Sequence, residues 1–285
     1  MNKILTDFPD KKYYKFIRDC YPWNWGNYEL FLWKHSMDPF RSKRDFYYIK
    51  NAADVVVALC VGRVYEFFFA GHSLNVLSMM DFATAEKYRN TGLMSELSGY
   101  IVNNNVFDMS LGFSSEYLYQ NVYSHLCYFQ TYHTYEFSNT ENYELSEEIY
   151  DTHKIADYLN NCQNALRIKM YPEYIQYISC SPKFGRIIYL EKDGLLISVG
   201  FQADYAQILD ISQYTADSCL KAVRMAGKYF KNVRIDMPHK LWEIEKTKNS
   251  TVRQIRTICC ISDKVNDIVN INGDETIWIP VMDRR

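Results

Sequence analysis

Hydrophobic and polar positions follow two different periods along this chain, and the period changes several times in its first half. Helical spacing of aromatic and aliphatic residues indicates helices, whereas runs rich in β-branched and aromatic residues indicate strands. The pattern of the first half predicts helices at about 11–20, 28–36, 92–103 and 117–126, and strands at about 45–50, 55–69, 74–83, 107–113 and 128–137.

The second half repeats this order of elements after a polar stretch at about 138–148. An Asp193-Gly194 pair between two apolar runs predicts a hairpin with a tight primed turn. The full prediction for this half is helices near 151–160 and 171–179, hairpin strands at 186–192 and 195–201, a strand at 205–211, a helix from Thr215 and a strand at 233–237. The repeated order predicts two domains of mixed α and β structure, residues 1–137 and 138–285.

One turn in the first half has the pattern of a phosphate site. The apolar run Leu74–Ala83 ends in a polar turn that contains Arg89 and Gly92, and a helix follows at once. The first turn of a helix has N–H groups without partners and a partial positive charge, so it can hold a diphosphate. The corresponding turn of the second half, Ser212–Tyr214, has neither arginine nor glycine, so we expect phosphate binding in the first half alone. An ordinary surface turn is the alternative for Arg89 and Gly92.

Composition narrows the class of protein. The 285 residues include 32 basic and 34 acidic side chains, a net charge of −2, which argues against a dedicated nucleic-acid binder. No apolar run approaches the ~18–20 residues of a membrane helix, so we expect no membrane association and a cytoplasmic protein. The eight cysteines form no C-x-x-C pair and suit reduced thiols, and the spacing of the six histidines predicts no metal site.

Two short motifs carry a resemblance to a known family. The GNAT family of N-acetyltransferases binds its cofactor with R/Q-x-x-G-x-G/A, which here reads Arg89-Asn90-Thr91-Gly92-Leu93-Met94, with Met94 in place of the small residue. A second family motif, Y-x-x-x-G-F, reads Tyr123-Ser124-His125-Leu126-Cys127-Tyr128. The chain resembles the tandem-domain branch of the enhanced-intracellular-survival type, without the sterol-carrier-like third domain of that branch.

The resemblance implies a fold and a set of binding residues. It implies an α+β (α/β) protein with two tandem GNAT-like domains, each a mixed, mostly antiparallel central sheet flanked by helices. Acetyl-CoA would lie between two splayed strands as co-substrate. Main-chain groups of Phe82, Ala83 and Thr84 would bind its pantetheine arm. The diphosphate would be held by amides of Arg89, Asn90, Thr91, Gly92, Leu93 and Met94.

The resemblance also implies a reaction, direct transfer of acetyl to a primary amine of a small molecule or of lysine. Tyr123 would be the general acid that protonates the leaving thiolate, although Tyr123 also fits a core position of an amphipathic helix. The general base stays open among Asp81, Glu116 and His72. A catalytically inactive acyl-CoA-binding or interaction protein with two GNAT folds is the alternative. The expected partner is a small-molecule or peptide amine, and a homo-oligomer stays open.

Overall fold

A computed structural model describes residues 3–22, 26–41, 44–69, 71–114, 128–138, 145–162, 165–238 and 250–261. The chain divides into two compact units. Unit 1 comprises Met1–Tyr65 and Asn75–Gly112, and unit 2 comprises Glu66–Leu74 and Phe113–Arg285. Within the described ranges, every helix is too short or too polar to cross a bilayer.

Unit 1 is built on a sheet whose strands run in the order β1 (Ile4–Asp7), β2 (Phe46–Lys50), β3 (Val56–Phe69), β4 (His72–Thr84) and β5 (Met109–Ser114). The pairs β1–β2 and β2–β3 are antiparallel, whereas β4 and β5 are parallel. The outer ends of β3, β4 and β5 belong to unit 2. The helical elements are α1 (Lys11–Cys20), α2 (Tyr28–Leu32), a π-helix (Trp33–Met37), a 3-10 turn (Glu86–Tyr88) and α3 (Leu93–Asn104).

Local chemistry explains where the helices of unit 1 begin. The Asp10 carboxylate accepts a hydrogen bond from the Lys12 N–H at the start of α1, and Asn27 caps α2 in the same way. α3 packs on the sheet through Leu97 and Ile101, as the helical spacing predicts. The buried residues of this contact form what we call the unit 1 core: Tyr47, Ile49, Val57, Ala58, Cys60, Leu77, Leu97 and Ile101.

Unit 2 contains β6 (Tyr128–Ser138), β7 (Glu147–Glu148), α4 (Thr152–Asn160), β8 (Arg167–Ile168), α5 (Pro172–Ser179), β9 (Arg186–Lys192), β10 (Leu195–Phe201), β11 (Ala206–Ile211), α6 (Ala216–Gly227), β12 (Asn232–Pro238) and β13 (Ser250–Ile261). Its strands run in the order β13-β6-β12-β11-β10-β9-β7. β11 and β12 are parallel, and the other pairs with a defined register are antiparallel. β8 pairs with the outer end of β3.

Most predicted elements are confirmed, often to within one or two residues. The hairpin turn is the sharpest case, because Asp193 and Gly194 both have positive φ, at 51° and 80°. The strands β1, β7, β8 and β13 were not predicted. The single helix predicted at 28–36 is α2 followed by the π-helix. The helix predicted at about 117–126 lies outside the described residues.

The predicted division into domains 1–137 and 138–285 stays a prediction. The compact units divide the chain at other positions, because β6 pairs with β12 and β13 and therefore belongs to unit 2.

Candidate functional site

The residues 89–94, here called the Arg89 turn, lead from the 3-10 turn into α3. Asn90 and Gly92 have positive φ, at 61° and 84°. Gly92 is the N-cap of α3 and supplies no side chain to accept the N–H groups of the first turn. A side chain at Gly92 would meet nothing within 4 Å, so glycine is favoured here by its φ and not by space. The result is an exposed helix N-terminus with free donor capacity.

The apolar and aromatic side chains that flank the Arg89 turn pack inward, whereas Arg89, Asn90 and Thr91 are exposed. Tyr88, Leu93 and Met94 are partly buried and pack against the unit 1 core. Met94 therefore does not project into the turn, although the family motif has a small residue at this position. The Thr91 hydroxyl donates to the Tyr88 carbonyl at 2.6 Å and tightens the turn.

Arg89 joins the turn to the end of β4. Its Nε lies 3.4 Å from the Thr84 carbonyl oxygen, and its Nη2 lies 3.4 Å from the carbonyl oxygen of Cys20. Both contacts are long and exposed, so the guanidinium can turn toward a bound anion at small cost. The geometry thus brings together two of the predicted groups of residues, Phe82–Thr84 and the Arg89 turn.

β4 separates from β5 before it reaches the Arg89 turn. The parallel register covers Val76↔Met109, Leu77↔Ser110 and Ser78↔Leu111. β4 continues to Thr84, and within the described residues no β5 partner is paired with 79–84, which we call the open segment of β4. Asp81, in the middle of this segment, has a φ of 55°. A non-glycine residue in this left-handed region costs about 1–3 kcal/mol, so its surroundings must hold it there.

The main chain of the open segment has identifiable partners. The Phe82 carbonyl accepts a hydrogen bond from the Tyr21 hydroxyl. Ala83 is fully buried, and Ala85 N–H donates to the Val57 carbonyl of β3. The Phe82 side chain packs against the unit 1 core. The carbonyls of Phe82 and Thr84 thus accept hydrogen bonds from two side chains, those of Tyr21 and Arg89.

Two basic residues of the π-helix hold the Asp81 side chain, and we call the three residues the Asp81 cluster. Lys34 Nζ lies 2.7 Å from Oδ1, and His35 Nε2 lies 2.7 Å from Oδ2. Burial raises the pKa of Asp81, but the charge of Lys34 and the contact with His35 outweigh burial and hold this pKa below its ordinary value. Burial lowers the pKa of His35 to about 4, so its imidazole is neutral at pH 7.

A second buried charge network supports the π-helix from β3. Arg63 Nη1 lies 2.7 Å from Asp38 Oδ2 and also donates to the Lys34 carbonyl at 3.2 Å. Its Nε donates to Asp45 Oδ2 at 2.6 Å. Burial raises the pKa of Asp45, and the Arg63 charge offsets this only in part. Arg63 and both aspartates are almost inaccessible to solvent, so this network is costly to disrupt.

Unit 2 has a comparable crossover, β11–α6–β12, but its helix N-terminus is differently built. Thr215 caps α6, because its hydroxyl accepts a hydrogen bond from the Ser218 N–H at 3.1 Å. At the end of β11, the buried Asp210 is bound by Arg167 at 3.1 Å and by the Tyr214 hydroxyl at 2.8 Å. In unit 2 a side chain thus caps the helix, and the expectation that phosphate binds in the first half alone stays a prediction.

Unit 2 also has an open cavity of about 340 Å³. It is lined by Lys154, Asp157, Tyr158, Asn161, Gly194, Ser212 and Gln213. Its rim has charges of both signs, and it contains none of the predicted site residues. Across the described part of the chain, no three His, Cys, Asp or Glu side chains are placed to hold a metal ion.

Several residues of the predicted motifs and site lie outside the part of the chain that the structure describes. Tyr123, Glu116 and Cys127 lie outside the described residues, and Tyr128 is described only as the first residue of β6. His72 is the exposed first residue of β4 and belongs to unit 2, not to the unit with the Arg89 turn. Sequence patterns did not indicate Tyr21, Lys34 or His35 as site residues. The only signal was a lysine next to a histidine in the predicted helix 28–36, and helical spacing gives such neighbours no common partner.

Comparison with known proteins shows the fold. No protein-family model matches the sequence, and no curated protein matches it. Solved structures do match: a probable N-acyltransferase from Enterococcus faecalis (TM-score 0.64, 11% identity) and GCN5-related N-acetyltransferases from Anabaena variabilis (0.62, 11%) and Kribbella flavida (0.62, 12%). Each match covers 90% of this chain, and 72%, 72% and 71% of the respective structures. The chain has a GNAT-like fold, and the predicted α+β class with helices flanking mainly antiparallel sheets is confirmed.

Proposed function

We propose that this protein is an acetyl-CoA-dependent N-acetyltransferase, which transfers acetyl to a primary amine of a small molecule or of lysine. One observation carries the proposal. The uncapped N-terminus of α3 directly follows a strand that has separated from its parallel neighbour, and Arg89 connects the two. A helix N-terminus of this kind binds phosphate groups, and a separated strand offers main-chain groups to an amide-containing arm. The GNAT-like fold of the chain adds support, whereas the tandem branch stays a proposal.

In this proposal the residues bind the co-substrate mainly through the main chain. Amides of Arg89, Asn90, Thr91, Gly92, Leu93 and Met94 would hold the diphosphate of acetyl-CoA. The open segment would bind the pantetheine arm through Phe82, Ala83 and Thr84. Acetyl-CoA supplies the activated thioester. Arg89 would add a mobile positive charge, since its present contacts are long and exposed.

The reaction needs proton transfers at two atoms. The amine nitrogen attacks the thioester carbonyl carbon, a C–N bond forms, and the C–S bond breaks. The departing thiolate takes a proton, which we assign to the Tyr123 hydroxyl on the strength of its motif. The amine loses one proton. Of the three predicted bases, Asp81 is ill suited, because its lowered pKa and its two basic partners make it a poor proton acceptor.

The proposal is tested by binding and turnover in sequence. Thermal unfolding is measured with CoA and with acetyl-CoA, and CoA thiol release is then measured with a panel of primary amines. Stabilisation by both ligands and thiol release with at least one amine are expected. Binding without turnover would favour the alternative, a catalytically inactive acyl-CoA-binding protein, which the substitutions Cys127 and Tyr128 in the second motif also favour. If neither CoA nor acetyl-CoA stabilises the protein, both the proposed acetyltransferase and the inactive acyl-CoA-binding protein are contradicted.

A matched pair of glycine variants locates the binding site. Gly92 and Gly71 have nearly the same φ, 84° and 87°, and neither has a neighbour within 4 Å of an added Cβ. Gly92→Ala and Gly71→Ala therefore impose the same backbone strain, one in the Arg89 turn and one in the β3–β4 hairpin. Only Gly92→Ala should weaken CoA binding, whereas equal weakening by both variants would place the site elsewhere.

A further inference from the structure

Two unusual backbone features of unit 1 meet at one carboxylate. The first is the π-helix Trp33–Met37, a rare widened turn. The second is the left-handed conformation of Asp81 within β4. Both features are energetically unfavourable, and such features persist where the surrounding structure holds them. Their meeting point is the Asp81 cluster, which forms one side of the open segment of β4.

The widened turn explains how consecutive residues reach the same partner. In an α-helix, neighbouring side chains project about 100° apart, so one carboxylate rarely receives both. Here Lys34 and His35 each lie 2.7 Å from a different oxygen of Asp81. The His35 ring is wholly buried and packs between Phe31 and Phe46, with 5.0 Å between ring centroids in each case. The imidazole therefore has little freedom to move away from Asp81.

The π-helix is itself fixed from the opposite side. Arg63 donates to the Lys34 carbonyl and binds Asp38, the residue that ends the π-helix. The other Asp38 oxygen accepts the Phe40 N–H at 2.9 Å, and the Tyr65 hydroxyl donates to Oδ2 at 2.8 Å. A continuous chain of polar contacts thus runs from β3 through the π-helix to the middle of β4.

We infer that Lys34 and His35 are positioning residues, which fix Asp81 in its left-handed conformation and thereby keep the open segment of β4 apart from β5. The inference rests on the proposed function, because the open segment is the proposed binding site of the pantetheine arm. Neither residue is assigned a contact with substrate. His35 is fully buried, and Lys34 reaches inward with 16% of its side chain exposed. Their effect on binding would pass through the conformation of Asp81 and the adjacent Phe82.

Two substitutions of Asp81 distinguish a role in fixing the conformation of the open segment from a role in the stability of the fold alone. Asp81→Ala and Asp81→Gly both remove the carboxylate and its contacts with Lys34 and His35. Glycine still adopts positive φ freely, whereas alanine does so at a cost. We expect Asp81→Ala to weaken CoA binding about tenfold and Asp81→Gly to bind within about threefold of the unsubstituted protein. A role in stability alone would weaken binding equally in both variants, and that result would overturn the inference.

Hydrogen exchange tests the same inference without the cofactor. Amide exchange of a peptide spanning residues 79–85 is compared in the two Asp81 variants, with Lys50→Met as a control that breaks the exposed Lys50–Asp54 pair. The inference predicts that the exchange rate changes in Asp81→Ala. In Asp81→Gly and in Lys50→Met the rate should stay near that of the unsubstituted protein. Equal exchange in both Asp81 variants would overturn the inference. If the unsubstituted protein binds no CoA, the proposed function fails, while the exchange comparison still decides the role of the Asp81 cluster.

Discussion

Gly62 on β3 lies directly beneath Ile101 on α3. A Cβ placed on Gly62 would be 2.6 Å from Ile101 Cγ2, well inside the distance at which carbon atoms can pack. The absence of a side chain at Gly62 thus sets how closely α3 approaches the sheet. Because the N-terminus of α3 is the proposed diphosphate site, this contact far from the Arg89 turn also sets where the binding amides lie.

Gly62→Ala should therefore destabilise the protein. Overpacking of this kind costs about 1–3 kcal/mol in the free energy of unfolding, measured by denaturant titration. Gly99→Ala is the matched control, since Gly99 lies within α3 and has nothing within 4 Å of an added Cβ. That change should stabilise by about 0.5–1 kcal/mol through helix propensity. Alanine at position 101 lacks the Cγ2 atom and should relieve the clash, so an additive double variant Gly62→Ala/Ile101→Ala would contradict the contact.

His35 makes stability depend on pH. Its pKa is about 4 in the folded protein, against an ordinary value of 6.5. Between these values the unfolded chain binds the proton and the folded protein does not, so the free energy of unfolding falls as pH falls from 6.5 to 4. The contribution of this residue is about 3 kcal/mol, at 1.36 kcal/mol for each pKa unit.

The charged groups that act on His35 are Asp81, which favours its protonation, and Lys34 and Arg63, which oppose it. Denaturant titrations of the unsubstituted protein and of His35→Gln are compared across this pH range. The variant should lose most of the slope between pH 6.5 and 4. Identical slopes in the two proteins would mean that His35 is not buried in a neutral state.

Arg63 is the shared cation partner of two buried carboxylates, so its removal should strongly lower the free energy of unfolding. Arg63→Met leaves Asp38 and Asp45 without their shared cation, which costs about 3–5 kcal/mol for a buried pair. The exposed Lys50–Asp54 pair is the control, and Lys50→Met should change the free energy of unfolding by less than about 1 kcal/mol. Equal losses in the two variants would show that the Arg63 network is solvated.

Tyr123→Phe tests the proposed general acid. The phenol would donate a proton to the thiolate only as the C–S bond breaks, so its loss should lower kcat by about 10²–10⁴-fold. The dissociation constant of acetyl-CoA should stay within about twofold, because the ring is retained. Tyr128→Phe provides a matched control at the other end of the same motif. An unchanged kcat in Tyr123→Phe would remove the proposed role.

Those parts of the fold that depend on the spacing of neighbouring residues could be predicted from the sequence. Alternation and turn chemistry located the hairpin at Asp193-Gly194, and helical spacing located α3 with Leu97 and Ile101 on its buried face. The two-residue strands β7 and β8 are too short to show any period.

The Asp81 cluster could not have been predicted, for a different reason. It depends on a widened helical turn and on a left-handed residue inside a strand, and the contacts that join them link residues distant in sequence. Asp81 looked like a candidate base because a carboxylate near the cofactor motif fits that role. Its partners Lys34 and His35, 46 and more positions away in sequence, give it a structural role that no local pattern reveals.

The proposed function depends above all on binding of the CoA diphosphate by the Arg89 turn. Amide exchange on adding CoA tests it most directly, with peptides that cover residues 86–97 in unit 1 and 211–222 in unit 2. The second peptide contains the N-terminus of α6, which Thr215 already caps. We expect CoA to slow exchange in the first peptide and to leave exchange in the second unchanged. Protection confined to the second peptide, or absent from both at saturating CoA, would contradict the proposed function.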